Sequence, residues 1–205
     1  MAKRTFYYCK GLVICHGLSE KIIANEVKSR LRIPLEIYAR DNGKHSIQIN
    51  GLPALFKSDK TFKNRTDFER IHSNIEYDKK VLKNFKIFPV MDTDDADEVS
   101  IENYVSNAFL ENHWLRDYIH PIYNTPSLEE VFVDAGVIDH VFTDNEKVNG
   151  YKKLFQKLDK ERTSNREIIR YLCDATRHQC SSKVRSNISE FFEYCLDWAE
   201  EIKIQ

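Results

Sequence analysis

The chain of 205 residues is 41% hydrophobic and 12% aromatic, enough to bury a core in one domain, or in one domain with an appendage, and too apolar for a disordered segment. No run approaches the roughly 18 consecutive apolar residues of a membrane span, and five cysteines without a CxxC pair argue against a cysteine zinc site and for a reduced, cytoplasmic protein. The net charge is only −1, yet residues 1–91 carry +9, residues 92–146 carry −13 with Arg116 as their one basic side chain, and residues 147–205 carry +3.

The opening "MAKRTFYYCKGLVICHG" starts basic but meets Lys10 inside its apolar stretch and lacks a small-residue cleavage site. Residues 6–15 therefore read as a first buried strand that ends at Gly17, not as a signal peptide. "LSEKIIANEVKSRLRI" places Ile22, Ile23, Val27 and Leu31 at helical spacing, with Ser19 as N-cap. "PLEIYAR" (34–40) is a second strand, "DNGK" a turn and "HSIQI" (45–49) another short strand. Residues 52–85 read as largely helical and basic. Residues 86–91 form a further strand, in which Pro89 predicts an edge position or a locally interrupted ladder.

Downstream, "SIENYVSNAFLENHWL" (100–115) has the pattern of an amphipathic helix capped by Ser100, and "DYIHPIYN" (117–124) that of a strand. "SLEEVFVDAG" (127–136) is a short helix stopped at Gly136. The remainder is helical over about 145–159, 164–179 and 183–203. Strands alternating with helices predict an α/β fold with a mostly parallel central sheet flanked by helices over residues 1–140, and a helical C-terminal portion, 141–205, packed on it. In such sheets, sites form at the carboxyl ends of strands.

Two stretches occupy such ends. In "KIFPVMDTDDAD" (86–97) a strand runs directly into Asp92, Asp94, Asp95 and Asp97. On extended backbone, Asp92 and Asp94 point to the same side and can converge on one cation. Hard oxygen donors suit Mg²⁺, and Mn²⁺ fits the same ligands. Alternatively, the aspartates cap the following helix. A calcium EF-hand loop starting at Asp92 fails at Ala96, Asp97 and Asn103, and "GLVICHG" lacks the acidic pair of a phosphotransfer receiver. In "ICHGLSE", His16 stands at the strand end, Gly17 in the turn and Glu20 in the first helical turn, where it also complements the macrodipole. A third candidate, "IYNTPSLEEVF", puts Asn124 at a strand end and Glu129 early in a helix. The acidic block flanked by basic arms reads either as solvated surfaces of differing sign or as a metal centre between arms that hold a polyanion.

Taken in order, strand–"HGLSE"–helix and strand–"DTDDAD" resemble a Toprim domain, and "NTPSLEEVF" is similar to a segment of the RloB-like branch, near the OLD-type nucleases. The resemblance covers roughly residues 6–135. It matches Gly17 to the family glycine and Asp92 and Asp94 to its DxD, while His16 stands where the family has its glutamate. It implies a Mg²⁺- (or Mn²⁺-) dependent nuclease cutting DNA or RNA phosphodiesters, in a prokaryotic or phage defence setting. Asp92, Asp94 and Glu20 would hold the metal, with His16 and Glu129 as further catalytic candidates. Gly17, Lys21, Lys60, Lys63 and Arg65 would contact the nucleic acid, as a monomer, a homodimer or with a protein partner. Two other readings stand beside it: a non-catalytic module binding nucleic acid or a partner, because of His16, and a transferase using the DxD to bind a metal–nucleotide or nucleotide-sugar.

Overall fold

The run "GLVIC" forms β1 (Gly11–Cys15), which is buried along its whole length, as a strand covered on both faces must be. The computed structural model describes residues 7–79, 81–177 and 183–204, without the side chains of 203 and 204. After β1 the chain turns through His16 and Gly17 into α1 (Leu18–Leu31). Gly17, not Ser19, is the N-cap; its N–H donates to the Glu20 carboxylate (Oε2, 2.7 Å), which closes the first turn. This frees the Ser19 hydroxyl for a distant partner.

β2 (Glu36–Tyr38) follows, then a tight turn over Arg40–Gly43. Gly43 has φ +85°, and a Cβ there would lie 3.1 Å from Leu18 Cα, so glycine is needed both for its conformation and for its close seat on the β1–α1 turn. The expected strand at 45–49 is instead a loop. Ile47 and Ile49 are both buried, which accounts for the alternation, while the Ile47 N–H donates to the His16 carbonyl at 2.8 Å. The basic stretch 52–85 is helical only in α2 (Leu52–Ser58) and α3 (Arg65–Ile71). "YDKKVL" gives a small hairpin, β3 (Tyr77–Asp78) with β4 (Val81–Leu82), in place of the expected helix.

β5 (Lys86–Asp92) precedes α4 (Glu98–Val105), whose N-cap is Asp97, not Ser100; the Asp97 carboxylate accepts the Ser100 N–H at 3.0 Å. α4 ends at Val105, and the rest of the expected long helix is turns. β6 (Ile122–Thr125) and α5 (Leu128–Asp134) follow, the latter stopped by Gly136 at φ +66°. Next come α6 (Lys147–Glu161), α7 (Asn165–Arg177), the short β7 (Arg185–Ser186) and α8 (Ile188–Ile204). The expectation that helix continues over 178–179 lies outside the described residues, as do residue 6 of the expected first strand and Cys180. Cys9, Cys15, Cys173 and Cys195 are buried free thiols. Among the described residues no helix is long and apolar enough to cross a membrane.

The sheet order is β2-β1-β5-β6-β7, parallel except for the last pair. β5 is thus central, and Pro89 resolves as an interrupted ladder, not an edge. At that point the buried Tyr104 hydroxyl lies 2.7 Å from the Pro89 carbonyl and 2.9 Å from the Ile122 carbonyl, doing the work of the missing backbone bond. The C-terminal segment 141–205 does more than pack on the α/β portion. It supplies β7, pairing Ser186 with Asn124, while α7 and α8 cover α1 and α8 covers β6.

Candidate active site at the carboxyl end of the sheet

Parallel register places the ends of β1, β5 and β6 side by side: Cys15 is level with Val90, and Asp92 with Asn124. Each strand then hands a side chain to the same spot. Asp92, the last residue of β5, is 7% exposed. Its Oδ1 accepts the Leu128 N–H at the start of α5 (3.0 Å) and the Asn124 amide (3.3 Å), and Asn124 is oriented in turn by the Ser186 hydroxyl (2.8 Å). Glu20 and Glu129, each 4% exposed, arrive from the first turns of α1 and α5. Glu129 accepts a short hydrogen bond from the Ser19 hydroxyl.

Burying carboxylates together favours their neutral forms. Burial, reinforced by Glu20 and Glu129, pushes Asp92 well above the usual carboxylate range, against the pull of its two hydrogen bonds. Burial and Glu129 also raise Glu20, while His16 acts in the opposite sense. One oxygen of Glu20 caps α1; the other, Oε1, is buried without a hydrogen-bond partner among the described residues, as is Nδ1 of His16. Tyr151 packs fully buried beside this cluster, and burial together with Glu129 pushes its phenol well above its ordinary value.

Lys147 brings a positive charge to the cluster. Lys147 Nζ lies 3.7 Å from Glu129 and 3.1 Å from Asp144. Burial works against its charge, yet Glu129 and Asp144 outweigh it and raise the ammonium's pKa. Lys147 and Tyr151 were not read as site residues from the sequence. A faint signal existed: Lys147 is the first residue of α6, where a positive charge opposes the helix dipole and needs a carboxylate to offset it.

The structure gathers His16, Glu20, Asp92 and Glu129, with Gly17 bonded to Glu20, and leaves Asp94 exposed outside them. β5 ends at Asp92, so the alternation that would carry Asp94 to the same side stops two residues short of it. Asp94 is exposed in the turn, its N–H donating to the Pro126 carbonyl at 3.2 Å. Asp95 is exposed as well, and Asp97 is the α4 cap. Gly17 spends its N–H on Glu20. Lys21 donates to the Asn42 carbonyl (3.0 Å) and so tethers the 40–43 turn. Lys60 and Lys63 are exposed between α2 and α3, while the Arg65 guanidinium stacks 5.3 Å over Trp114.

Comparison with family models, with curated proteins and with solved structures finds no match to this chain.

The donor set suits a hard divalent cation in its chemistry, and the partnerless buried Glu20 Oε1 is the kind of atom that such an ion satisfies. Among the described residues no three His, Cys, Asp or Glu side chains are closed around one ion position. Mg²⁺ does not require that: it keeps several waters and takes one or two carboxylates plus substrate oxygens. In such a coordination Glu20 and Asp92 would be the side chains to supply them.

Proposed function

We propose that the chain is a metal-dependent phosphodiesterase acting on nucleic acid, with a Toprim-like centre built from Glu20, Asp92 and Glu129. The observation that carries this reading is the convergence of three buried carboxylates, from segments far apart in sequence, at the carboxyl end of a parallel sheet. Such a cluster is costly in the ion-free protein, and function is the usual reason for retaining one. A divalent cation held there supplies Lewis acidity and charge neutralisation at a phosphate.

The chain's own groups divide the remaining work. Glu20 is fixed by Gly17 and Asp92 by Leu128 and Asn124, so both present oxygens from rigid positions. Glu129, held between Ser19 and Lys147, is placed to accept a proton from an attacking water. Lys147 brings a positive charge to face phosphate oxygens. Beyond it, Lys152, Lys153, Lys157 and Lys160 are exposed along α6 and supply a grip on a polyanion that reads charge and not sequence. These lysines join Lys60, Lys63 and Arg65 as candidate backbone contacts.

The test is cleavage of end-labelled single- and double-stranded DNA and RNA in EDTA, Mg²⁺ or Mn²⁺. Cation-dependent cutting is expected, lost in Asp92→Asn and Glu20→Gln and retained in large part in Asp94→Asn, whose side chain is exposed. Salt-sensitive binding without cutting under any cation would instead make the chain a non-catalytic binding module, and turnover of a nucleotide-sugar would make it a transferase.

A further inference from the structure

α6 borders two different places. Its first residue, Lys147, faces Glu129, while its neighbouring face closes a cavity of about 400 Å³ against the loop that follows α5. That volume lies within the range of small-molecule sites. The floor is apolar: Ile138, Phe142 and Leu154 line it, and all three are buried. Phe142 is seated against Gly150, where a Cβ would lie 2.7 Å from the ring, and it meets Tyr151 edge-on at 5.2 Å. A glycine inside a helix weakens it, so this one is explained by the ring it admits. Tyr151 packs beside the carboxylate cluster, so the two rings join the cavity to the candidate active site.

The remaining lining is polar, and its groups have counterparts on a nucleotide. The amides of Asn145 and Asn149 suit the edge of a base, and the Asp139 carboxylate suits an exocyclic amino group. His140 offers a ring on which a base stacks. Glu146 is already engaged by the Thr143 N–H and hydroxyl, at 2.9 and 2.8 Å. Lys153 and Lys157 line the cavity and also, with Lys160, a second depression of about 260 Å³, whose acidic lining residue is Glu161. At positions i, i+4 and i+7, these three lysines share one helix face over about 10 Å. At roughly 3.4 Å per step of one strand, that line spans about three phosphates. A free nucleotide does not fill it; a chain of nucleotides does.

We propose that this cavity takes one unpaired base of a single-stranded nucleic acid, with the adjoining phosphates on Lys153, Lys157 and Lys160, so that the chain prefers single strands to duplex. This rests on the nucleic-acid reading above and names its substrate class. A duplex keeps its base edges paired and stacked, and a base enters such a cavity only after flipping out, at an energetic penalty. Lys147 and Lys153 are about 9 Å apart along α6, so the held base belongs to a nucleotide within about three steps of a phosphate at the carboxylates.

Binding by the full chain is measured in EDTA by fluorescence anisotropy. The probes are short single-stranded DNA and RNA, the matching duplexes and an all-abasic strand of equal length, with AMP as competitor. Wild type is compared with Asn149→Leu and Lys153→Ala, both at exposed positions of α6, and with Gly150→Ala, after melts verify that each folds. Single strands should bind about fivefold or more tighter than the duplex or the abasic strand, the contribution of one stacked base. Asn149→Leu, which replaces a lining amide by a branched apolar group, should lower binding to the abasic level and leave the abasic strand unaffected. Gly150→Ala, which forces the Phe142 ring from its seat, should do the same. Lys153→Ala should weaken both strands alike and reduce the salt dependence. Equal binding of base-bearing and abasic strands, duplex held as tightly as single strand, or an unchanged ratio in Asn149→Leu overturns the base pocket and leaves the grip on a polyanion standing. AMP held as tightly as the strand assigns the cavity to a free nucleotide and overturns it too. Failure to bind any strand removes the nucleic-acid reading itself, and this inference with it.

Discussion

Replacing Asp92 by asparagine should make the ion-free protein more stable while removing its response to cations. The substitution keeps shape and acceptor: an amide oxygen still meets the Leu128 N–H and the Asn124 amide, now 3.0 and 3.3 Å from Oδ1. It removes the carboxylate that burial, Glu20 and Glu129 together raise. Because the folded-state pKa of Asp92 lies above its unfolded value, its favourable contribution is complete below the ordinary carboxylate value of about 4 and is lost as pH rises through the raised folded value. At pH 8 in EDTA the wild type bears that loss and Asp92→Asn does not. Relief of such functional-site strain is commonly about 1–2 kcal/mol. At about 2–4 °C per kcal/mol for a chain of 205 residues, Tm should rise by roughly 2–8 °C. The gap should narrow toward pH 5. Asp92→Ala relieves the same charge but strands the Leu128 N–H, which returns about 1–3 kcal/mol and should cancel the gain. Saturating Mn²⁺ or Mg²⁺ should reverse the order, since an ion at a hundred times its Kd stabilises only the protein that binds it, by about 2.7 kcal/mol. Circular-dichroism melts between pH 5 and pH 8, with EDTA or cation, decide the matter. An Asp92→Asn variant melting below wild type at pH 8 in EDTA, or stabilised by cation as much as wild type, would refute the reasoning.

Two further predictions concern parts of the fold that support the site. Tyr104→Phe deletes the hydroxyl lying between the Pro89 and Ile122 carbonyls and leaves two buried acceptors at the weak point of the central ladder, so urea denaturation should show a loss of about 1–3 kcal/mol with cation affinity unchanged. Lys147→Met takes the cation away from Glu129. It should destabilise the ion-free protein, and that penalty should shrink by about 1 kcal/mol in an Asp92→Asn background, a double-mutant cycle that additive melts would contradict.

The local signals were read well where one period and one stop signal coincide. "GLVIC" followed by Gly17, the strand running into Asp92, and "SLEEVFVDAG" ending at Gly136 all form the elements their residues announce. The errors fall where two uses of a residue compete. Ser100 and Asp97 both cap helices well, and the carboxylate three residues ahead of the serine took the cap. Ile47 and Ile49 alternate as in a strand because both are buried, yet among the described residues no neighbouring strand pairs with them. The stretch around Tyr77–Leu82 is charged enough for an exposed helix, yet Tyr77–Asp78 and Val81–Leu82 pair as antiparallel strands.

His16, Glu20, Asp92 and Glu129 were each recognisable from their positions at strand ends and helix starts, because chain direction alone puts those positions at one end of a parallel sheet. Which of them share a pocket was a different kind of question. Burial of Asp92 and exposure of Asp94, two residues past the strand, depend on where the ladder with β6 stops. Lys147 and Tyr151 join the cluster because α6 returns across the sheet's carboxyl end, and Ser186 orients Asn124 because β7 closes the sheet's edge. Side-chain periodicity is a property of neighbours along the chain; the balance of charge in a buried cluster is set by residues more than a hundred positions apart, and only packing brings those into contact.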